Sequence, residues 1–156
     1  MYSGFELYEG EAVKPGSEEY LNSEKYELRP RDFAAAAATG NSLEPYITRL
    51  NEIRRAHPAL QQLRNIAFHQ VNNDQIICYS KTDPATGDTV LVVITLDPWN
   101  AQEGTTALDL PELGLNWGEG FTVHDEITGG TWQWGQYNYV RLEPWHHVAH
   151  IFRIVR

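Results

Sequence analysis

A single cysteine, Cys78, stands in 156 residues, so no intrachain disulfide can staple this fold. Its neighbours Ile76, Ile77 and Tyr79 place it in a strand, where a free thiol acts as a small apolar side chain. A reducing compartment is the simplest expectation. Long apolar runs are also missing. The longest, Val90 to Leu96, falls far short of the roughly 20 residues that a membrane-spanning helix needs. No charged-then-apolar leader opens the sequence. Cations are scarce, with 12 Lys and Arg against 21 Asp and Glu, for a net charge of −9. That balance argues against nucleic acid, whose phosphates are held by clustered Lys and Arg, and against an anionic membrane surface. The expectation is a soluble, cytoplasmic protein. A neutral ligand such as a sugar polymer is compatible with its charge without being implied by it.

What is present divides into two regions. Residues 1 to about 41 are loop-like, rich in Gly, Pro, Ser, Glu and Tyr, with a short helix expected over Asp32 to Ala38. A lead this long and irregular is expected to pack on something outside the chain. A helix over 43–56 follows. Asn41 or Ser42 can cap it, and Leu43, Tyr46, Ile47, Leu50 and Ile53 give it one apolar face. Arg54, Arg55 and His57 suit the negative end of its dipole, and Pro58 stops it.

From Ile66 the pattern becomes short strands: Ile66 to Val71, Gln75 to Lys81, Thr89 to Leu96, Thr105 to Leu110, Phe121 to Ile127, Thr131 to Trp134, Tyr139 to Glu143 and His147 to Val155. Turn residues separate them, at Asn72-Asn73-Asp74, Asp83-Pro84-Ala85-Thr86-Gly87 and Gly129-Gly130. The fold class is mainly β, an antiparallel β-sandwich.

One helix followed by an antiparallel β-domain is the order in which α-amylase-clan enzymes end. ITRLNEIRRAHPALQQL, from Ile47 to Leu63, resembles that clan's junction between its (β/α)8 barrel and its β-sandwich. Four further strings resemble one family of the clan, the α-1,4-glucan:maltose-1-phosphate maltosyltransferases. They are YSGFELYEG (Tyr2 to Gly10), GSEEYLNSEKYELRPRDF (Gly16 to Phe33), DPATGDTVLVV (Asp83 to Val93) and DEITGGTWQWGQYNYVRLEP (Asp125 to Pro144). On this resemblance, residues 1–57 are the loop and last helix of a truncated barrel, and residues 58–156 are the carboxy-terminal β-sandwich.

The resemblance implies transfer of a maltosyl unit from α-maltose 1-phosphate to the non-reducing end of an α-1,4-glucan, with retention, by the two-carboxylate logic of retaining glycosidases. The family's nucleophilic Asp, acid/base Glu and supporting Asp lie on earlier barrel strands that this sequence does not contain. The chain is therefore expected to be a carboxy-terminal piece, inactive alone, with the missing barrel as its partner. No cofactor or metal is implied, and the oligomeric state stays open.

The resemblance also implies that Lys25 and Tyr26 match the family's Lys-Tyr pair, which hydrogen-bonds the maltosyl unit in the donor pocket. The nearby Glu6, Glu9 and Glu27 are expected to pair with Arg29 or Arg31, because none has an apolar setting that would raise its pKa. Asp125 and Glu126 are adjacent, so on a strand they point to opposite faces. His146, His147 and His150 lack an obvious fourth metal ligand. Trp132 and Trp134 share one face, with Tyr137 and Tyr139 following on the next strand. These aromatics either stack on glucan or fill the sandwich core or a seam against the barrel. The alternative function is a stand-alone α-glucan-binding or scaffolding β-module.

Overall fold

The computed structural model describes residues 4–21 and 28–155. The chain forms two compact units, residues 1–51 and 52–156. In the first, a 3-10 turn spans Phe5–Leu7 and a helix α1 spans Phe33–Ala38. Asp32 caps α1, its carboxylate accepting the Ala35 N–H at 2.8 Å. Helix α2 spans Glu44–Ala56, and Ser42 Oγ accepts the Glu44 N–H at 3.1 Å. Its residues Tyr46, Ile47 and Leu50 are half-buried, whereas Ile53, in the second unit, is fully buried.

The strands of the second unit pair antiparallel throughout. Its strands are β1 (Ile66–Val71), β2 (Ile76–Thr82), β3 (Thr89–Thr95), β4 (Gln102–Ala107), β5 (Phe121–Asp125), β6 (Thr131–Trp134), β7 (Tyr137–Leu142) and β8 (Ala149–Val155). They pair in the order β6-β5-β8-β3-β2-β1-β4-β7. The β1–β4 ladder covers only Gln70↔Ala107 and Val71↔Thr106. At that short junction the β4–β7 pair folds over the other six strands, and side chains from both parts meet in one core.

That core joins Ile76 and Cys78 of β2, Leu91 and Val93 of β3, Phe121 and Val123 of β5, Val140 and Leu142 of β7, and Phe152 and Ile154 of β8. Period-two alternation supplies these residues, so polar or aromatic neighbours take the outer faces. Each fully buried Leu or Phe contributes about 1.5–3 kcal/mol of transfer free energy. Cys78 behaves as its sequence setting implied: it is buried, and burial pushes its thiol up to about 12.

Strand β3 is buried at five successive positions, Thr89 to Val93, because both its faces are covered. Val90 and Val92 point away from the main core and pack with Ala59 and Leu60, from the 3-10 turn Pro58–Gln61. Residues 108–115 differ from the strand expected over Thr105 to Leu110. Leu108, Leu110, Leu113 and Leu115 are all buried, but they sit in a 3-10 turn and its flanks that plug the core. Alternating apolar residues fit such a plug as well as a strand, and Pro111 breaks the ladder.

Candidate functional site

Lys25, Tyr26 and Glu27 lie outside the described residues. The loop before them is described over residues 4–21. Further along the chain, the Arg31 guanidinium grips Glu9 of that loop, with Nε donating to both carboxylate oxygens at 3.0 and 3.1 Å and Nη2 donating at 2.9 Å. The hydrogen bond from Arg31 is the main reason the Glu9 pKa lies below the ordinary carboxylate value. Gly4 sits against this pair, since a Cβ there would collide with the Glu9 carboxylate. Leu43 N–H donates to the Glu6 carbonyl at 2.7 Å. Arg31 and Glu9 thus brace the loop itself.

Asp125 and Glu126 point apart. Asp125 is fully buried and faces the core, where Oδ2 accepts from His150 Nδ1 at 2.9 Å and Thr128 Oγ1 at 2.7 Å. Its Oδ1 accepts the Ile127 and Ile151 N–H groups at 3.1 and 3.2 Å. Burial works to raise the Asp125 pKa. The hydrogen bonds and the charge of His150 outweigh it, so the carboxyl lies below its ordinary value. Glu126 turns to the other side, where Oε1 accepts from Arg153 Nε at 3.1 Å and lies 3.7 Å from His57 Nε2.

Among the described residues no group of three or more His, Cys, Asp or Glu converges as a metal site. His146 and His147 instead lie tilted against each other, ring centroids 3.9 Å apart and planes at 41°, and His150 lies flat on Phe152 at 5.1 Å.

The four aromatics do not form one row. Strands β6 and β7 follow each other in the chain but stand at opposite ends of the pairing order. Trp134 packs edge-on to Phe152 at 4.7 Å, against the core. Trp132 is more exposed, 5.8 Å from Phe152, with its indole folded over Gly130. Tyr137 and Tyr139 project to solvent from the other sheet part, 67% and 63% exposed. On that face Tyr139 Oη donates to Glu103 Oε2 at 2.7 Å, and Arg141 spans Glu103 (3.3 Å) and Glu143 (2.8 Å).

Beside Tyr139 opens a polar cleft of about 570 Å³, lined by Asn72, Asn73, Asp74, Glu103, Gly104 and Thr105. The sequence reading missed it, because it joins the β1–β2 turn to β4 across a long stretch of chain. The signal within reach was the Tyr137-x-Tyr139-x-Arg141 alternation. A second cleft, of about 470 Å³, lies between Arg64, Asn65 and Ile66 on one side and Pro111 and Glu112 on the other.

Residues 68–154 match the family described as GLGE, C-terminal. The chain belongs to that family. It is 64% identical over 152 residues to the alpha-1,4-glucan:maltose-1-phosphate maltosyltransferase of Corynebacterium glutamicum, covering 97% of this chain and 22% of that protein. To the protein of that name in Mycolicibacterium smegmatis it is 60% identical over 154 residues, 99% of this chain and 22% of the relative. To alpha-1,4-glucan:maltose-1-phosphate maltosyltransferase 2 of Streptomyces coelicolor it is 54% identical over 156 residues, all of this chain and 23% of the relative. This family member therefore spans between a fifth and a quarter of the length of those relatives. A solved GH27 β-L-arabinopyranosidase from Geobacillus stearothermophilus shares a TM-score of 0.42 and 13% identity, over 62% of this chain and 21% of its own. That likeness is too slight to carry an argument.

Proposed function

We propose that the chain works as the carboxy-terminal part of a retaining maltosyltransferase, which moves maltosyl units from α-maltose 1-phosphate to the non-reducing end of an α-1,4-glucan. The observation that carries this reading is the identity of 60 to 64% along 97 to 99% of the chain to relatives of that name. In such an enzyme one carboxylate forms the glycosyl-enzyme and releases phosphate. The other protonates the leaving group and then activates the acceptor hydroxyl. Both belong to the barrel strands that precede this region, so the chain alone is inactive. Lys25 and Tyr26 complete the donor pocket by hydrogen-bonding maltosyl hydroxyls, the Lys with three donors and the Tyr with one donor and an acceptor.

The test is phosphate release from α-maltose 1-phosphate with a maltooligosaccharide acceptor, using this chain alone and then with the preceding region supplied. Release only with both parts supports the reading, and Lys25→Ala then weakens use of the donor. Release by the chain alone overturns its inactivity. Silence in both favours a second reading, a glucan-binding or scaffolding module, for which the self-contained core of residues 52–156 speaks.

A further inference from the structure

We propose that the outward face of β7 and the cleft beside it form a surface site for a linear α-1,4-linked glucan, with Tyr139 as the stacking platform. The residues reach this arrangement by strand alternation. Asn138, Val140 and Leu142 are buried, which turns Tyr137, Tyr139 and Arg141 to solvent. Two tyrosines two residues apart on one strand stand about 7 Å apart, a spacing that presents successive flat apolar rings.

Tyr139 is held ready. Its hydroxyl is fixed by Glu103, and Glu103 is fixed in turn by Arg141. An aromatic ring already ordered in the free protein loses little freedom on binding. The adjoining cleft, at about 570 Å³, falls in the size range of ligand sites. Asn72 Oδ1 accepts the Thr105 N–H at 2.7 Å, which leaves its amide nitrogen without a protein partner among the described residues. The Asp74 carboxylate likewise has no hydrogen-bond partner among them. Gly104 is what allows this close packing. A Cβ there would press on Asn72 Oδ1 at 3.0 Å and on Asn73 Cβ and Val71 Cγ1 at 3.2 Å.

The lining selects the class of ligand. It carries two carboxylates, Asp74 and Glu103, and the neighbouring cation, Arg141, is already paired with Glu103 and Glu143. Anionic ligands such as phosphates are repelled, and a purely apolar ligand would strand the amides and carboxylates. A neutral polyol with apolar ring faces and a hydroxyl rim matches both the aromatic platform and the polar lining. The choice of an α-1,4-linked glucan among neutral saccharides rests on the maltosyltransferase reading above.

Titrating maltoheptaose into the full chain by calorimetry or ligand-observed NMR tests this. The expected result is saturable binding that weakens at least about tenfold in Tyr139→Ala. Tyr139→Phe, which keeps the ring, stays within about threefold. Circular dichroism confirms that each variant is folded. Trp132→Ala, on the opposite end of the pairing order, leaves binding unchanged. Absence of binding by the wild-type chain overturns the proposal. So does a loss with Trp132→Ala but not with Tyr139→Ala, or equal affinity for cellohexaose. Binding is read here without catalysis, so its failure and a failure of the phosphate-release experiment are separate results.

Discussion

Asp83 and Asp125 hold two separate turns in the same geometry. In each, a Thr three residues later donates its hydroxyl to the carboxylate, Thr86 at 2.6 Å and Thr128 at 2.7 Å. A Gly four residues later donates its N–H to the aspartate carbonyl, Gly87 and Gly129 both at 2.8 Å. Each aspartate N–H closes the turn on the next carbonyl, Asp88 or Gly130, again at 2.8 Å. Both glycines adopt positive φ, 74° and 78°, which other residues take only at a cost. The Asp-x-x-Thr-Gly pattern is thus one solution used twice, at the β2–β3 and β5–β6 connections.

The two aspartates differ in what else they hold. Asp83 also accepts Gln62 Nε2, whereas Asp125 is fully buried and binds His150 and the Ile151 N–H of β8. Asp125→Ala therefore takes the carboxylate partner from a partly buried imidazole and from the Ile127 and Ile151 amides. We expect it to lower stability by about 3–5 kcal/mol, and Asp83→Ala to cost clearly less. Urea unfolding of both variants checks the order, and an Asp83→Ala cost equal to that of Asp125→Ala would contradict it.

The sequence suggests a helix-end cation at His57, but its side chain is 7% exposed and anchored elsewhere. Its Nδ1 lies 2.9 Å from Asp88 Oδ1, and the other Asp88 oxygen accepts the Ala59 N–H at 3.1 Å. Asp88 thereby fixes the 3-10 turn that covers β3. Asp88→Ala is expected to destabilise the β-unit by about 2–3 kcal/mol. In a double-mutant cycle with His57→Ala the two losses are expected to be less than additive. Full additivity would mean that the pair does not act together.

The elements themselves were legible because their periods are strong. The sequence placed β1 at Ile66–Val71 and β6 at Thr131–Trp134, where the structure has them, and α2 within one residue. The pairing order was not legible. Nothing in the sequence near Trp134 and Tyr137 says that β6 pairs with β5 while β7 crosses to β4. For the same reason the aromatics read as one group although they face different ways. The family strings pointed to the right relatives, yet the string that contains Tyr139 says nothing of a cleft, since the rest of the lining comes from a distant turn and strand, Asn72 to Asp74 and Glu103 to Thr105.

Cys78 offers a direct reporter of opening. With its thiol buried in β2 and pushed up to about 12, almost no thiolate exists at neutral pH. Labelling by a disulfide reagent is expected to be slow in the native protein and complete at once in denaturant. Its rate should rise with the fraction unfolded as urea is added. Rapid stoichiometric labelling without denaturant would show that β2 is not buried as described.

His69 sets a pH limit on the same core. Its Nδ1 accepts the Asp109 N–H at 3.1 Å, so the proton of the neutral ring sits on Nε2, 2.9 Å from Ser80 Oγ. Burial pushes its pKa below the ordinary histidine value, and the negative Asp109 nearby only partly opposes this. A base whose pKa is lower in the folded chain leaves the unfolded chain holding more protons between the two values. The stability that His69 contributes is therefore complete above its unfolded pKa of about 6.5 and is lost as pH falls through that window. His69→Asn keeps an acceptor for the Asp109 amide but cannot titrate. Urea midpoints measured from about pH 7.5 down to about pH 5 should fall in the wild-type chain and flatten in the variant. The same slope in both would show that another group carries the acid limb. Because Ser80 and Asp109 flank His69 on two different segments, loss of that neutral ring should loosen the contact of β1 with β2 before it disturbs β3.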